Sequence, residues 1–226
     1  MRRKFEIWAG LLCILFLFIF AVYAYDLPKW FPFNQENALQ EWQEKIFKDR
    51  VLYEVRPESE DGFLSAKSEG ACSGLIYRIK FNAVKDPMIS WYWKVKKFPK
   101  KTEVKESSGG WLEKDDYAAR VYVIFPSWNF MNIKSLEYVW DESAPVESVI
   151  SSPYTNNIKI IVVETGKKHW DEWVFEKRDI YKDYKRAFGR APRSLRVGAI
   201  ALMTDSDNTI STAEAFYKNI KVGYKQ

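Results

Sequence analysis

Hydrophobic and polar residues alternate with a period of two along most of the chain after residue 50. In segment 75–81, apolar side chains occupy every second position, and Arg78 and Lys80 lie between them. Because successive side chains of a β-strand point to opposite faces of a sheet, this alternation predicts strands with one buried face. The pattern occurs in segments 51–55, 75–81, 89–95, 118–125, 135–140, 158–163 and 195–203, which predicts at least seven strands.

Turn-forming residues separate these segments, as in Asp61-Gly62 and Thr165-Gly166. Turns between short strands at this spacing are typical of an antiparallel sandwich. Two segments have helical spacing instead: 36–48, and 178–188, which Gly189 can end in a left-handed conformation. We therefore predict an all-β fold, an antiparallel β-sandwich with two short helices.

The first 25 residues differ from the rest of the chain. Three basic residues, Arg2, Arg3 and Lys4, precede an uncharged apolar stretch, 7–25, about as long as a bilayer core is thick. We predict that 1–25 is either a signal peptide or an N-terminal membrane anchor through residues 7–25. By the positive-inside bias, both alternatives export the rest of the chain, which is then periplasmic or membrane-anchored outside the cytoplasm. Residues 26–50 are predicted to be a linker and short helix, and 51–226 the sandwich domain.

Composition narrows the classes of function. The net charge of +5 includes +2 from the N-terminal basic residues and Glu6, so the predicted exported part is nearly balanced. No nucleic-acid-binding module is visible. Cys13 lies in the apolar stretch, which leaves Cys72 alone, so we predict no internal disulfide and treat Cys72 as a small apolar filler.

Several short motifs together suggest a family. They are Trp93-Lys94-Val95, the run Asp115 to Val123, Tyr138-Val139-Trp140, Trp173 with Glu176 to Asp179, Asp183-Tyr184 with Phe188-Gly189, and Thr204 to Thr209. As a set they resemble the bacterial domain-of-unknown-function family numbered 3047 (DUF3047), from about residue 51 to the C-terminus. The resemblance implies a jelly-roll sandwich similar to carbohydrate-binding modules and concanavalin-like or legume lectins. Because the family has no established activity, the resemblance assigns no catalytic residue.

The aromatic content suggests sugar recognition. Sugars are bound by flat aromatic faces together with polar groups, and the chain has 10 Trp and 13 Tyr residues. Trp140, Trp170 and Trp173 are predicted near strand ends, where exposed platforms are formed more readily than in the core. Most of the other large aromatic residues are expected in the core.

Arg120 lies among apolar residues in a predicted strand. An arginine that faces into a sheet has to be paired when it is buried, and its candidate partners are Asp116, Glu137, Asp205 and Asp207. Two interpretations follow: a structural ion pair or a clamp on a ligand.

The segment Thr204 to Thr209 places Asp205, Asp207 and Asn208 in one turn. These residues either cap backbone amides, contact a sugar, or hold calcium through Asp205 and Asp207, the one cofactor considered. The helix-loop-helix calcium sensor is excluded, because no glycine follows Asn208 and no glutamate closes the loop.

Catalysis has little support in the sequence. His169 is the only histidine, so a multi-histidine zinc site is excluded, and no nucleophile-elbow motif is present.

The prediction is a non-catalytic exported sandwich that binds cell-envelope or extracellular glycan through Arg120, Trp140, Trp173, Asp205, Asp207 and Asn208. Two alternatives stay open: a membrane-anchored structural or assembly partner, and a hydrolase or lyase. The last would need two carboxylates ~5–9 Å apart across a groove, and the candidates are Glu137, Glu164, Asp205 and Asp207.

Overall fold

The computed structural model of the chain describes residues 27–57, 61–101 and 115–226. The predicted signal or anchor segment, residues 1–25, lies outside these described residues. Within them, no helix is both long and apolar enough to cross a membrane. The described elements are β1 (Lys29–Phe31), β2 (Gln43–Lys48), β3 (Leu52–Arg56), β4 (Phe63–Glu69), β5 (Cys72–Asn82), β6 (Met88–Lys97), β7 (Ala119–Phe125), β8 (Lys134–Asp141), β9 (Val149–Ser151), β10 (Ile158–Thr165), β11 (Val174–Asp179), α1 (Ile180–Phe188), β12 (Arg196–Asp205) and β13 (Thr212–Tyr224).

The strands form two sheets. The six-stranded sheet has the order β11-β6-β13-β4-β3, and β1 pairs with β13 beside this path. The seven-stranded sheet has the order β2-β5-β12-β7-β8-β10-β9. Its pair β8–β10 is parallel, whereas the other described pairs are antiparallel. The predicted β-sandwich is confirmed, and it is antiparallel, as predicted, except at this one described pair.

The core fills the space between the two sheets, because alternate residues of each strand point inward. Three tryptophans, Trp91, Trp93 and Trp140, are completely buried there. The ring centroids of Trp91 and Trp93 are 5.4 Å apart, and those of Trp93 and Trp140 are 6.0 Å apart. Stacking and edge contacts at such distances add to the free energy gained by removing the rings from water. We refer below to the opposite side of each sheet as its outer face.

The helix predicted over 36–48 is wrong. Residues 35–41 form turns, and Gln43–Lys48 is β2, which pairs with β5 at the edge of the seven-stranded sheet. Trp42 is buried against Phe31, but Ile46 and Phe47 are 39% and 38% exposed and form no buried helical stripe. Pairing with the open edge of β5 satisfies backbone groups and overrides a weak local preference for helix.

The helix predicted over 178–188 is confirmed as α1. The Asp179 side chain accepts a hydrogen bond from the Lys182 amide at 2.9 Å, which caps the first turn. Gly189 ends the helix at φ 76°, the left-handed conformation that glycine adopts most readily. Tyr184 packs against Phe125 with ring centroids 4.8 Å apart, so α1 closes one end of the sandwich.

Candidate functional site

The predicted site residues lie in three separate parts of the molecule. Arg120 and Asp205 lie on the outer face of the seven-stranded sheet, and Asp207 and Asn208 follow in the turn after β12. The other two predicted residues are placed elsewhere: Trp140 in the core between the sheets, and Trp173 immediately before β11 of the six-stranded sheet. No single cavity therefore collects all six.

Arg120 is held by carboxylates on both sides. Its Nε and Nη2 donate to the two oxygens of Asp205 at 2.9 and 2.5 Å, and its Nη1 donates to Glu137 Oε1 at 2.8 Å. The same Nη1 lies 3.1 Å from the Tyr122 hydroxyl and 3.8 Å from Asp115 Oδ2. Arg120, Glu137 and Asp205 are each 2% exposed. A guanidinium saturated in this way has the geometry of a buried structural ion pair.

The carboxylates around Arg120 outnumber its single positive charge, because Asp115, Glu137 and Asp205 surround one guanidinium. Burial raises the pKa of Asp115 well above its ordinary value, although the positive charge of Arg120 opposes the shift. Its Oδ1 is buried and has no hydrogen-bond partner among the described residues. Burial alone would lower the pKa of Arg120, but the neighbouring Asp205 and Glu137 outweigh it and keep the guanidinium charged.

A further aspartate, Asp116, organises the turn after β12. It is fully buried, and its Oδ2 accepts hydrogen bonds from the amide and hydroxyl of Thr209 at 2.7 and 2.6 Å. Its Oδ1 accepts from the amide and side chain of Asn208 at 3.3 and 3.2 Å. At the surface of this corner, the Tyr154 hydroxyl lies 3.5 Å from Asn208 Oδ1. Asp116 therefore caps the turn, and a sugar contact at Asn208 stays a prediction.

Three ligand atoms approach one another closely beside this turn. One atom each from Cys72, Asp205 and Asp207 lies within 4.8 Å of the others. Both oxygens of Asp205 already bond to Arg120, and burial raises the pKa of the Cys72 thiol, which keeps it protonated. Calcium takes roughly six to eight oxygen ligands, so this donor set does not fit the ion that the sequence suggested.

Two of the candidate carboxylates for hydrolysis, Glu137 and Asp205, are separated by the Arg120 guanidinium rather than by an open groove. His169 lies on an exposed turn, with its Nδ1 3.3 Å from Glu172 Oε2. The geometry of Glu137 and Asp205 is that of buried ion pairs with Arg120.

Trp140 is not at the surface, in contrast to the exposed platform that its strand-end position predicts. It is 0% exposed, and its Nε1 donates to the Gly166 carbonyl at 3.0 Å. The turn after β10 covers this end of β8, and Phe98 packs against the indole with ring centroids 6.3 Å apart. Trp140 is therefore a core residue.

The outer face of the six-stranded sheet carries a patch of aromatic rings and lysines. On β6 and β13, inward residues such as Trp93 and Tyr217 alternate with outward ones. The outward residues Tyr92 and Lys94 of β6 lie opposite Lys218 and Phe216 of β13, respectively, so each ring is paired with a lysine on the next strand. We define the aromatic–lysine face as Phe63, Tyr92, Lys94, Lys96, Trp170, Asp171, Trp173, Phe175, Phe216 and Lys218.

Trp173 lies at the centre of the aromatic–lysine face. Its ring centroid is 5.8 Å from that of Phe63 and 6.5 Å from that of Phe216. Lys94 Nζ and Lys218 Nζ lie 5.4 and 4.7 Å from the indole centroid. Such distances give cation–π attraction, which holds both ammonium groups beside the ring.

Trp170 presents an exposed ring at the edge of this face. Its side chain is 53% exposed, yet its Nε1 donates to the Lys96 carbonyl at 2.8 Å. The adjacent Asp171 donates its amide to the Val95 carbonyl at 3.0 Å, so the turn is fixed along the edge of β6. Phe175, 50% exposed, packs against Tyr92 in a tilted arrangement with ring centroids 4.8 Å apart. The exposed indole is thus held in one orientation by contacts with the backbone of β6.

Sequence reasoning selected Trp173 but missed most of its neighbours. The signal that identifies them is the repeat of an aromatic residue and a lysine two positions later, in Tyr92-Trp93-Lys94 and Phe216-Tyr217-Lys218. Both faces of these strands are rich in large side chains, so the period-two pattern alone does not separate the core from the outer face.

Structural comparisons find several glycan-related proteins at low similarity. The chain is similar to the family 11 carbohydrate-binding module of a cellulosomal cellulase of Clostridium thermocellum (11% identity, 82% of this chain and 88% of that chain, TM-score 0.43). It is similar to the xyloglucanase domain of NopAA, a type three effector from Sinorhizobium fredii (11% identity, 81% and 93%, TM-score 0.45). It is also similar to the glycoside hydrolase domain of Endo-D from Streptococcus pneumoniae (9% identity, 82% of this chain but 22% of that chain, TM-score 0.40).

Comparison at the level of sequence is more specific. No curated protein matches the chain. Residues 40–221 match the family described as "Protein of unknown function (DUF3047)", which is the family that the motifs suggested. The chain therefore belongs to the DUF3047 family.

Proposed function

We propose that this protein is an exported, non-catalytic β-sandwich that binds a cell-envelope or extracellular glycan on the aromatic–lysine face. The observation that carries the proposal is the half-exposed indole of Trp170, fixed by its bond to the Lys96 carbonyl. The apolar side of a pyranose ring stacks on a flat aromatic surface, and a ring that is already oriented loses little entropy on binding. Phe175 and Trp173 are further aromatic residues of the same face, packed against Tyr92 and against Phe63 and Phe216, respectively.

The state of the carboxylates favours binding over catalysis. Glu137 and Asp205 are buried and bonded to Arg120, whereas a glycosidase needs its acid and its nucleophile or base at an open cleft. The exposed carboxylate of the aromatic–lysine face, Asp171, is bonded to Lys96 at 2.6 Å.

The test is affinity electrophoresis of the purified full chain against a panel of soluble polysaccharides. Trp170→Ala is expected to weaken binding roughly tenfold, because stacking contributes about 1–2 kcal/mol. Trp128→Ala is the matched control, since Trp128 is fully exposed but lies in the loop between β7 and β8 of the other sheet. Absence of binding to every polysaccharide, or equal binding by the Trp170 variant, would overturn the proposal.

Export is the second part of the proposal and rests on residues 1–25. A fusion of a reporter that is active only outside the cytoplasm tests the location, and the mass of the mature protein distinguishes a cleaved signal peptide from a retained anchor. A reporter that stays inactive when fused after residue 226 would contradict export.

A further inference from the structure

We propose that the glycan bound by the aromatic–lysine face is acidic, a polysaccharide whose sugars carry carboxylates, and that Lys94 and Lys218 contact those carboxylates. This inference rests on the proposed function and adds the chemical class of the ligand. It starts from the reciprocal pairing of β6 and β13, in which Lys94 lies opposite Phe216 and Lys218 lies opposite Tyr92.

The pairing places two ammonium groups beside one indole. Lys94 Nζ and Lys218 Nζ lie 5.4 and 4.7 Å from the ring centroid of Trp173, and 5.3 and 5.7 Å from the rings of Phe216 and Tyr92. Their side chains are 20% and 19% exposed, so the stems are packed while part of each side chain still meets water. A sugar stacked on this platform brings its substituents within reach of a fixed positive charge.

Carboxylates of the protein already contact these lysines. Asp171 lies 3.3 Å from Lys94 Nζ and 2.6 Å from Lys96 Nζ, and Asp61 lies 3.8 Å from Lys218 Nζ. Asp171 and Asp61 are 40% and 57% exposed, so both pairs are open to solvent and weak. Two carboxylates for three lysines leave a positive surplus, and a ligand carboxylate can take the place of either aspartate.

The positive charge continues along the same face toward the other end of β13. Lys177 and Lys221 lie 6.0 and 5.0 Å from the ring of Tyr224, and neither forms an ion pair with a carboxylate among the described residues. Lys218 and Lys221 flank an irregularity of β13, and their partners on β6, Tyr92 and Ser90, are two positions apart, or about 7 Å along the sheet. Aromatic rings flanked by lysines thus recur in a line, which suits an extended polymer with a charge on each repeat better than a single small anion.

A neutral glycan accounts less well for this arrangement, because an ammonium group gains more from a carboxylate than from a neutral hydroxyl. An anionic membrane surface is the competing ligand for a basic aromatic face. The rings of Trp173, Phe63 and Phe216 pack against one another with their planes inclined by 67°, 43° and 44°, instead of projecting as the separate wedges that enter a bilayer. This packed cluster favours a sugar chain.

The test compares polymers that differ only in charge. Binding of the full chain is measured against polygalacturonate and alginate, and against esterified forms of both in which the carboxylates are neutralised. We expect at least one acidic polymer to bind at least tenfold more tightly than its ester, with an affinity that falls as salt is raised. Equal binding of the acidic and esterified forms overturns the inference.

Lysine variants connect the charge preference to this face. Lys94→Gln and Lys218→Gln are each expected to weaken binding of the acidic polymer about fivefold and to leave the weak binding of the ester unchanged. Lys134→Gln is the matched control, because Lys134 also lies over an aromatic ring, 4.4 Å from Phe188, but belongs to the other sheet. Thermal melts check that all three variants are folded.

The two proposals fail in different ways. If Trp170→Ala abolishes binding of acidic and esterified polymers equally and the lysine variants bind as the wild type does, glycan binding stands and the acidic class is overturned. If no polymer binds, both proposals fall. If vesicles of anionic phosphatidylglycerol bind instead and Lys94→Gln removes that binding, the face recognises lipid and the acidic glycan is rejected.

Discussion

The guanidinium of Arg120 makes every strong contact available to it, and its neighbours depend on that charge in turn. Asp205 and Glu137 are both buried, and each lies within 2.8 Å of an Arg120 nitrogen. A buried carboxylate that loses its cation has to neutralise itself or draw in water, and either response destabilises the fold. Arg120 therefore has a structural role on the outer face of the seven-stranded sheet.

Replacing Arg120 by methionine tests this role. Arg120→Met is expected to lower the free energy of unfolding by about 3–5 kcal/mol, because buried carboxylates are left unpaired. Arg196→Met, at an exposed position of β12, is the control and should change it by less than about 0.5 kcal/mol. Urea denaturation followed by tryptophan fluorescence gives both values. A stable Arg120 variant that loses glycan binding would instead support the ligand clamp.

Glu176 makes the stability of the folded protein depend on pH, and its raised pKa gives the direction of that dependence. Burial, and after it the nearby carboxylate of Glu164, raises the pKa of Glu176 to about 8. In the unfolded chain this group loses its proton near pH ~4.3, so between ~4.3 and 8 the unfolded state binds fewer protons than the folded state. Stability contributed by protonated Glu176 is therefore present at low pH and is lost as the pH rises through 8.

The variant Glu176→Gln is expected to remove this dependence. At pH 9 it should be more stable than the wild type by about 1–3 kcal/mol, less than the full linkage energy because the side chain keeps some contact with water. At pH 4 the two proteins should differ little. Chemical denaturation at the two pH values provides the measurement, and an equal difference at both would contradict the assignment.

Among the elements, the turn after β12 depends on a residue from another part of the chain. Asp116 precedes β7 and accepts hydrogen bonds from Asn208 and Thr209. The turn is therefore capped from outside, rather than by the aspartates within it. This arrangement fixes the register between the start of β7 and the end of β12.

The effect of Asp116→Ala should be large for a single polar side chain. We expect a loss of about 2–4 kcal/mol, since buried amide and hydroxyl groups lose their acceptor. Asp207→Ala in the same turn is the control and should cost less than about 1 kcal/mol. Thermal and urea unfolding with no added metal gives both values. Comparable losses in both variants would indicate that Asp207 also has a structural role.

The elements also show how far sequence reasoning reaches. Strong period-two segments became strands and 178–188 became α1, because there the local pattern and the tertiary structure agree. The helix predicted over 36–48 was wrong, because pairing with the open edge of β5, which is distant in sequence, determines the conformation of this segment. The prediction that Trp140 is an exposed platform was wrong for a related reason. Whether the end of a strand is covered depends on a loop, and here the turn at Gly166 covers Trp140. The aromatic–lysine face depends on cross-strand register, which no single strand encodes.

At the scale of the whole molecule, non-covalent packing carries the stability of the described sandwich. Cys72 is a free thiol, and the described residues contain no disulfide. Two kinds of non-covalent interaction therefore stabilise the sandwich. They are the packing of tryptophan and aliphatic side chains between the sheets and the buried ion pairs on the outer face of the seven-stranded sheet.

Cys72 therefore reports on unfolding of the whole domain. Burial raises the pKa of its thiol, so labelling with a thiol reagent at pH 8 should be at least about a hundredfold slower than for an unfolded cysteine. Labelling is expected to accelerate across the same urea range as the change in tryptophan fluorescence, while a reductant leaves the unfolding midpoint unchanged. A Cys13→Ser background keeps the readout specific, and fast labelling in the folded protein would contradict the prediction.

Strand β13 connects the aromatic–lysine face with the first described strand. Phe216 and Lys218 lie on it, and the three residues of β1 pair antiparallel with Ile220 to Val222 near its end. If residues 1–25 tether the protein to a membrane, tension from a bound polymer is transmitted along β13 and reaches the tether through β1. Three residues form a short ladder, whereas β6 and β4 hold β13 over much greater lengths. Under force, β1 is then the element that detaches first, lengthening the tether while the aromatic–lysine face stays intact.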